Sequence, residues 1–544
     1  MSEDILQKIV RMRREDIDRL GLNFNIDIPE ARRVGHTEFL GNAGAILEVK
    51  RASPSKGDIA PDLNPVELAT TYAEAHAQAV SVLTEMNFFK GTLRDLIAVA
   101  DLMERRRQQG LHTCAVLRKD FLLFEDEIDI AYRCGADAVL LIARILDDAQ
   151  LVKMAQRAQK FGIQAFVEVR EADDFRKLAV VTAALGDAAA KTIVAGVNSR
   201  DLATFHTDPL IPASVRSKLP AKAVFESGIL SAADATYARN LGFTGILVGE
   251  AVAKNPPLAK DVVSAFESGC ENARGQFWKK FAERKFAHNK TCAASSQDAR
   301  PQDARRPLVK ICGITREEDG LLAAKLGADM LGFVFSTTKR LTTEEFVRSF
   351  KNRLPRLSEA RNDVACHPEP FDKLRDLNKV GEPVEPLLVG VITDPNSAEG
   401  KTAIKLAQEG VLDAVQFHGV NPHNSIDETS SNALPYYCAA RVGAPEDFDY
   451  VASLRKNGEP RIMLDAKVEG IPGGTGKTIP ESLLREKANG APLWLAGGIN
   501  PENVATLCEK FHPELIDVSS GIEDAPGIKN HDKMKALFAE FAAK

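Results

Sequence analysis

In the first half of the chain, charged and amide side chains follow short apolar segments, where an unpaired polar group would be costly. These residues are Glu48, Lys50, Glu85, Lys119, Glu168, Asn198, Arg200, Glu226 and Ser227. Lysines and carboxylates that share one mouth shift each other's pKa values, as acid–base catalysis requires. A structural ring of ion pairs is the alternative for any one of them. Their recurrence at successive segment ends favours catalysis.

A cysteine stands in the same kind of position in the second half. The segment LVKICGIT (308–315) places Cys312 two residues after Lys310 and just before a glycine. A thiol can act as a base if a nearby cation lowers its pKa, and we expect Lys310 to help hold it as thiolate. Asp465 ends a later apolar segment, so thiol and carboxyl could serve as base and acid of a proton-transfer isomerisation. A buried structural cysteine is the alternative.

Serines and glycines at other segment ends predict phosphate binding, because such loops offer backbone N–H groups. In the first half these are Ser53, Gly228 and Gly249; in the second half they are Gly474, Thr475, Gly476, Gly497, Gly498, Ser520 and Gly521. The stretch IPGGTGKT (471–478) resembles a nucleotide-binding P-loop, but Ile471 stands where that motif needs its first glycine. A loop that binds a monophosphate is the better interpretation.

The elements that must position these residues alternate between apolar strands and amphipathic helices. Eight strands are predicted in the first half, at 45–50, 80–85, 113–120, 137–145, 164–169, 192–199, 223–229 and 245–250. Eight more are predicted at 308–314, 330–335, 387–393, 414–419, 436–442, 461–468, 493–499 and 515–522. Weak helix signals after the fourth and sixth of these suggest loops there. The pattern predicts an α/β protein of two tandem (β/α)8 TIM barrels, whose active sites lie at the carboxyl ends of the strands.

The predicted boundaries follow from this alternation and from changes in composition. The first barrel covers 1–260, and residues 261–307 begin as a helix and continue into a small, polar, flexible linker. The second barrel covers 308–544. Within it, residues 352–386 are polar and rich in proline, which predicts a disordered surface insertion.

Composition excludes several classes of protein. With 544 residues, 44% hydrophobic residues and a net charge of −6, the chain reads as an ordinary globular protein with no nucleic-acid partner. The sequence contains no apolar run long enough for a membrane span and no signal peptide, so we expect a cytoplasmic monomer. The eight cysteines form no C-x-x-C pair, and we expect neither a metal nor an organic cofactor.

Five motifs of the first half, EVKRASPSKG, LRKDF, FVEV, GVNSRDL and ESGI, closely resemble indole-3-glycerol phosphate synthase over about residues 1–255. The resemblance implies ring closure, decarboxylation and dehydration of 1-(o-carboxyphenylamino)-1-deoxyribulose 5-phosphate. It makes Lys119 the general acid of ring closure and Glu168 the acid–base group of dehydration. It also implies that Glu48 and Lys50 act as a pair on strand 1, and that Asn198, Glu226 and the adjacent Ser227 orient the substrate and the lysine. Phosphate binding is implied for Ser53, Gly228 and Gly249. Arg200 is implied to lie near the phenyl ring. Glu250 departs from family members that carry serine there.

The second half carries KICGIT, VQFHG, LDAK, GGTGKT, LAGGINPENV and DVSSGIE, which resemble phosphoribosylanthranilate isomerase over 308–544 apart from the insertion. The implied reaction is an Amadori rearrangement of N-(5-phosphoribosyl)anthranilate. By this match Cys312 is the general base at sugar C2 and Asp465 the general acid at the ring oxygen. Arg340 falls where the family binds the anthranilate carboxylate, although Lys339 replaces the usual proline. Gln416 and His418 match the strand 4 motif.

Two other interpretations remain open at this point. The second barrel could be a stabilising module without catalysis, which the insertion and the altered Arg340 loop suggest. It could also resemble the ProFAR isomerase of histidine synthesis, but that enzyme uses paired aspartates where this chain has Cys312 and the carboxylate-free strand YYCAARV. Small phosphorylated, anthranilate-derived molecules are the expected substrates in the main interpretation.

Overall fold

The chain folds into two compact units, which divide between Glu271 and Asn272. The computed structural model describes residues 5–200, 206–294, 306–359, 385–426, 434–467, 478–487 and 492–542, without side chains at 288–294, 355–359 and 485–487. Each unit is built around its own closed barrel of eight parallel strands. The predicted fold class is therefore confirmed.

The first barrel is formed by eight strands that coincide with the eight predicted segments. They are β1 (Gly44–Val49), β4 (Ala79–Leu83), β5 (Ala115–Lys119), β6 (Ala138–Ile142), β7 (Gln164–Val169), β8 (Ile193–Asn198), β9 (Ala223–Glu226) and β10 (Gly245–Val248). The barrel closes because β1 pairs in parallel with both β4 and β10. A small hairpin, β2 (Ala52–Ser53) with β3 (Gly57–Asp58), follows the first strand at the carboxyl end.

Helices follow most of these strands and cover the barrel. They are α1 (Ile5–Leu20), α2 (Pro65–Glu74), α3 (Leu93–Gln108), α4 (Asp126–Arg133), α5 (Asp148–Phe161), α6 (Ala172–Leu185), α7 (Ala189–Thr192), α8 (Leu210–Val215), α9 (Ala232–Asn240), α10 (Glu250–Lys254) and α11 (Leu258–Ser268). Local sequence sets their ends. In α5, Asp147 forms a capping box with Gln150, and Gly162 ends the helix in the left-handed conformation that glycine adopts without strain.

The second barrel also matches its eight predicted segments. Its strands are β11 (Leu308–Cys312), β12 (Met330–Val334), β13 (Leu387–Ile392), β14 (Ala414–His418), β15 (Tyr436–Val442), β16 (Ile462–Ala466), β17 (Trp494–Ala496) and β18 (Leu515–Val518). Pairing of β11 with β12 and β18 closes the ring. A hairpin of β19 (Glu523–Ala525) and β20 (Ile528–Lys529) follows the last strand.

The helices of the second unit differ from expectation at two places. They are α12 (Ala273–Ala294), α13 (Glu317–Leu326), α14 (Glu344–Glu359), α15 (Ala398–Gln408), α16 (Asp447–Lys456), α17 (Glu481–Lys487), α18 (Val504–Phe511) and α19 (His531–Ala542). Helix α17 lies between β16 and β17, where weak signals suggested a loop. Helix α14 continues into the predicted insertion 352–386, so residues 352–359 of the insertion are helical and the prediction of disorder is wrong for them. Residues 360–384 of the insertion lie outside the described residues.

The predicted linker begins in α11 of the first unit, and the helix that follows, α12, is part of the second unit. Trp278 and Phe281 of α12 are fully buried and pack against Trp494 of β17, at centroid distances of 6.0 and 4.7 Å. Arg274 forms a buried ion pair of 2.6 Å with Glu459. Burial of this apolar helix face gives residues 273–287 a packing role that a linker would lack. The flexible part of the predicted linker, 295–305, lies outside the described residues, and the predicted domain limits stay a prediction.

Candidate active sites

The carboxyl end of the first barrel contains a buried network of lysines and carboxylates. Glu48 of β1 contacts the Nζ of Lys50 at 2.6 Å and the Nζ of Lys119 at 2.9 Å. The same Lys119 Nζ lies 3.7 Å from Glu226 at the end of β9. Burial opposes ionisation of Glu48, but the two lysines outweigh burial and lower its pKa to about 2. Burial also opposes the charge of Lys119, yet Glu48 and Glu226 raise its pKa, so this lysine keeps its proton at neutral pH.

A second carboxylate, Glu168 of β7, approaches Glu226 from the neighbouring part of the barrel. Both side chains are buried, and neither Glu226 oxygen has a hydrogen-bond donor among the described residues. Burial raises the pKa of Glu168, while Lys119 and a hydrogen bond from Asn198 oppose that rise. Burial and the charge of Glu168 raise the pKa of Glu226 well above its usual range. One proton held between the two carboxyls satisfies this geometry, which provides a proton donor beside a cationic lysine.

A glycine that sequence reasoning missed makes room for this carboxylate pair. A Cβ on Gly196 of β8 would lie 2.2 Å from an oxygen of Glu226 and 2.6 Å from the ring of Phe166. Only glycine fits at this strand position. A glycine inside a strand weakens it, so its presence here marks a place where other groups approach the backbone closely. The signal in the sequence is the lone glycine inside TIVAGVNS.

We expect Gly196→Ala to lower first-barrel activity and to destabilise that unit by about 1–3 kcal/mol, because the methyl group displaces Glu226 or Phe166. Thermal unfolding and turnover of the purified variant would check this. Gly390→Ala in β13 is a suitable comparison, because its Cβ would meet the terminal methyl group of Leu412 at 2.8 Å instead of a carboxylate. A Gly196→Ala protein with unchanged turnover would show that Glu226 has freedom to move.

The raised pKa of Glu226 predicts a pH dependence of stability. Because the folded state binds a proton that the unfolded state releases, stability falls as pH rises above the pKa of an ordinary glutamate. Glu226→Gln removes this loss, and we expect its Tm to exceed that of the wild type by roughly 3 °C or more near pH 9 and to differ less near pH 5. Calorimetry at both pH values, with exposed Glu267→Gln as control, tests this. Equal pH dependence in Glu226→Gln and wild type would contradict the shared proton.

The predicted phosphate-binding positions lie at neighbouring strand ends, because β1, β10 and β9 are adjacent in the barrel. Ser53 is buried in the β2–β3 hairpin, with its Oγ 3.4 Å from that of Ser55. A Cβ on Gly249 would lie 2.4 Å from Glu48, so the backbone approaches the lysine network closely. Gly228 has φ of 78°, and Ser227 before it has φ of 65°. A serine in the left-handed region is uncommon, and such strain concentrates at functional sites.

Two more predicted residues follow β8. The Oδ1 of Asn198 accepts a hydrogen bond of 3.0 Å from the backbone N–H of Arg200, which leaves its amide nitrogen to Glu168. Arg200 forms a backbone bridge with Thr207. Residues 201–205 lie outside the described residues.

In the second barrel, Cys312 and Asp465 end strands β11 and β16, which are separated by β17 and β18. Both side chains are nearly buried, 8% and 7% exposed, at the carboxyl end. Asp465 Oδ2 lies 3.2 Å from Nε2 of His418, and His418 Nδ1 lies 3.3 Å from the amide of Gln416. The geometry therefore places the predicted thiol and carboxyl at the same end of the barrel and the histidine of β14 against the carboxyl.

Lys310 acts on the Cys312 thiol in the expected direction, but it does not outweigh burial of that thiol. Its Nζ is fully buried, forms a 2.6 Å ion pair with Asp517 and donates to Gln416 at 2.8 Å, so its charge is compensated. Burial raises the pKa of the Cys312 thiol, and Asp517 adds to the rise while Lys310 opposes it. The resting thiol is consequently protonated, because a paired cation cannot offset burial.

Arg340 reaches the same mouth from the segment after β12. Its Nε and Nη2 donate to Glu523, with Nη2 to Oε2 at 2.7 Å. A Cβ on Gly313 would lie 2.8 Å from Arg340 Cδ, which places the guanidinium side chain beside the loop after Cys312. The orientation of Arg340 is therefore set by Glu523, a residue of the DVSSGIE motif for which the sequence analysis predicts no individual role.

The predicted phosphate loops of this barrel are partly described. Gly497 and Gly498 have φ of 89° and 64°, and a Cβ on Gly497 would lie 2.9 Å from Asp465. Ser520 and Gly521 form a short 3-10 turn after β18, adjacent to β17. Gly474, Thr475 and Gly476 lie outside the described residues.

The residue most clearly missed by sequence reasoning is Lys529 in β20. Its Nζ is buried and donates to the carbonyl of Cys312 at 2.5 Å, to the carbonyl of Ser519 at 3.2 Å and to Glu523 at 2.8 Å. Burial lowers its pKa, and Glu523 opposes the change. Lys529 follows the stretch EDAPGI (523–528), which is rich in turn-forming residues, so its sequence context looks like that of an exposed turn.

Comparison with known proteins agrees with the two-barrel arrangement. A family model described as indole-3-glycerol phosphate synthase matches residues 6–264, and one described as N-(5'phosphoribosyl)anthranilate (PRA) isomerase matches residues 369–540. A multifunctional tryptophan biosynthesis protein from Phycomyces blakesleeanus is 30% identical over 96% of this chain, and this chain spans 65% of its length. An indole-3-glycerol phosphate synthase from a Roseiflexus species is 36% identical over 48% of this chain and 97% of its own length. The solved phosphoribosyl anthranilate isomerase from Thermotoga maritima is 30% identical, covering 44% of this chain and 100% of its own, with a TM-score of 0.34.

Two barrels of parallel strands, each with titratable side chains at the carboxyl ends of its strands, define a pair of (β/α)8 enzyme units. The chain belongs to the tryptophan-biosynthesis proteins that join an indole-3-glycerol phosphate synthase to a phosphoribosylanthranilate isomerase. In the described part of the chain, every helix is too short or too polar to cross a membrane.

Proposed function

We propose that the two barrels catalyse consecutive steps of tryptophan biosynthesis. The second barrel isomerises N-(5-phosphoribosyl)anthranilate to 1-(o-carboxyphenylamino)-1-deoxyribulose 5-phosphate. The first barrel converts that product to indole-3-glycerol phosphate, carbon dioxide and water. The observation that carries this proposal is the buried contact of Lys119 with Glu48 and Glu226 in a barrel of this family, together with Cys312 and Asp465 at one mouth of the second.

In the isomerisation, Asp465 donates a proton to the ring oxygen of the sugar, and the carbon–oxygen bond breaks to give an iminium. Cys312, once deprotonated, removes the proton from C2, and the electron pair forms the enamine that tautomerises to the ketone. Arg340, oriented by Glu523, binds the anthranilate carboxylate through its remaining N–H groups. The closeness of His418 to Asp465 supports proton delivery to that carboxyl.

In ring closure, Lys119 donates its proton to the ketone oxygen while the aromatic carbon attacks the carbonyl carbon. Loss of carbon dioxide restores aromaticity. Dehydration follows, in which Glu168 transfers protons with help from the proton it shares with Glu226. Lys50, held by Glu48, supplies the charge that binds the substrate carboxylate.

We assign phosphate binding to the loops at the ends of neighbouring strands, because backbone N–H groups of such loops can bind an anion. In the first barrel these residues are Ser53, Gly228 and Gly249. In the second barrel they are Gly497, Gly498, Ser520 and Gly521, together with Gly474 to Gly476. Arg200 contacts the phenyl ring of the substrate, and Asn198 and Ser227 orient the pentulose.

The test is turnover of phosphoribosylanthranilate by the purified chain, with the isomerised intermediate and indole-3-glycerol phosphate separated by chromatography. Appearance of both products supports both activities. Supplying the intermediate directly tests the first barrel by itself. A chain that converts supplied intermediate but never produces it would have a second barrel without catalysis, which the placement of Cys312 and Asp465 argues against. The monomeric state and the cytoplasmic location stay predictions.

A further inference from the structure

The second barrel contains a buried lysine for which the proposed chemistry provides no role. Lys529 is 2% exposed and lies in the β19–β20 hairpin, which follows the last barrel strand. Its ammonium group gives three hydrogen bonds, the maximum for lysine. Burying an ammonium is costly unless each proton is used, so such a group indicates a defined task.

Two of the three acceptors belong to the ends of neighbouring strands. They are the backbone carbonyls of Cys312, which ends β11, and of Ser519, which directly follows β18. The lysine thereby ties together the two segments from which the thiol and the loop at Ser520 project. A shift of the Cys312 carbonyl would move the thiol, because the side chain departs from the same residue.

The third acceptor connects the lysine to the guanidinium side chain across the mouth. Glu523 accepts from Lys529 through Oε1 and from Arg340 through both oxygens, with Arg340 Nη2 to Oε2 at 2.7 Å. The carboxylate thus uses the Nε–Nη2 edge of Arg340 and directs the guanidinium in a fixed orientation. Burial raises the pKa of Glu523, but Arg340 and Lys529 outweigh it and lower the pKa, so the carboxylate stays ionised.

The backbone of Lys529 is itself held in place. Its N–H donates to Asp319 at 3.1 Å, and Asp319 is fully buried and is also bound by Arg316 and His531. The side chain therefore extends from a fixed point toward Cys312. Because both its backbone and its ammonium group are held, this lysine can position the groups that it binds more precisely than a lysine on a mobile loop.

We propose that Lys529 is a positioning residue of the second active site, which aligns Cys312 through its carbonyl and Arg340 through Glu523. This inference rests on the proposed isomerase function. It differs from that function because Lys529 neither accepts nor donates the reacting proton. The charged and titratable groups that face Cys312 are Lys310, Asp517, Tyr437, Arg340 and Lys529.

The test uses the full chain and three variants. Lys529→Met removes the hydrogen bonds and keeps the chain length; we expect kcat for isomerisation to fall by about 10–100-fold, since a misplacement near 1 Å can cost about a hundredfold. Glu523→Gln retains the shape but loses the charge, and we expect mainly a higher KM because Arg340 is less well oriented. The control is Lys535→Met on α19, whose exposed lysine pairs with nearby Asp532.

A readout independent of turnover separates this inference from the proposed function. The rate of alkylation of Cys312 by iodoacetamide, followed on its peptide by mass spectrometry across pH, reports the position and ionisation of the thiol. We expect Lys529→Met to change this profile and Lys535→Met to leave it unchanged. Wild-type kcat, KM and alkylation in Lys529→Met would overturn the proposal, as would losses that match only the fraction of unfolded protein in thermal melts. If the wild type fails to isomerise while the alkylation profile still responds, the proposed function fails and the positioning stands.

Discussion

Replacing Lys119 by alanine is expected to abolish formation of indole-3-glycerol phosphate, with a loss of about 10²–10⁴-fold in kcat, the range that a general acid contributes. The structure places its ammonium between Glu48 at 2.9 Å and Glu226 at 3.7 Å, inside a buried mouth. Removing the cation also leaves Glu48 with Lys50 as its remaining partner and takes a cation away from Glu226, so the pKa of Glu48 rises from its low value. The measurement is conversion of supplied intermediate by the purified variant.

The same chain contains controls for this experiment. Isomerisation by the second barrel should continue, and the intermediate should therefore accumulate when phosphoribosylanthranilate is supplied. Lys153→Ala, at an exposed position of α5, should retain both activities. A Lys119→Met variant keeps the apolar stem and distinguishes lost charge from lost packing. Indole-3-glycerol phosphate formation by Lys119→Met at the wild-type rate would remove this lysine from the mechanism.

The barrels were predictable from sequence because both faces of a parallel strand are buried. Each strand therefore appears as a nearly continuous apolar segment, as in AVQFHG, and all sixteen were placed within a few residues. The residues at the strand ends were visible for the same reason, since a charge that follows an apolar segment stands out. Arg340, Asp465 and the synthase carboxylates were found in this way or by their motifs.

What the sequence could not provide is pairing across the barrel. Lys310 lies two residues from Cys312, which suggested that it activates the thiol, yet its partner is Asp517, 207 positions away. Lys529 is 217 positions from Cys312, whose carbonyl it binds, and Gly196 is needed because Glu226 of the next strand and Phe166 fill the space of a Cβ. Such contacts are fixed by closure of the barrel, and local pattern contains no information on them. Helix α12 is a similar case. It is buried against Trp494, which lies far later in the chain, so the local pattern of the helix does not reveal this contact.

Replacing Cys312 by serine is expected to lower isomerisation by about 10²–10⁴-fold while the conversion of supplied intermediate continues. A hydroxyl has nearly the shape of a thiol but is a far weaker acid, so the base form of the residue is lost. The raised pKa of the thiol also predicts the direction in which wild-type activity changes with pH. Only the thiolate removes the C2 proton, so kcat/KM should increase with pH through the ordinary range of a cysteine and above it.

Cys508→Ser, at a half-buried position of α18, is the matched control and should retain both activities and the same pH profile. A Cys312→Ser protein that isomerises at the wild-type rate would leave Asp465 with His418 as the proton-transfer pair and make Cys312 a buried structural residue. A flat wild-type profile with an inactive serine variant would have a different meaning. It would place a thiolate at Cys312 in the free enzyme already at neutral pH, because kcat/KM reports ionisation of the free enzyme, and it would contradict the raised pKa of this thiol.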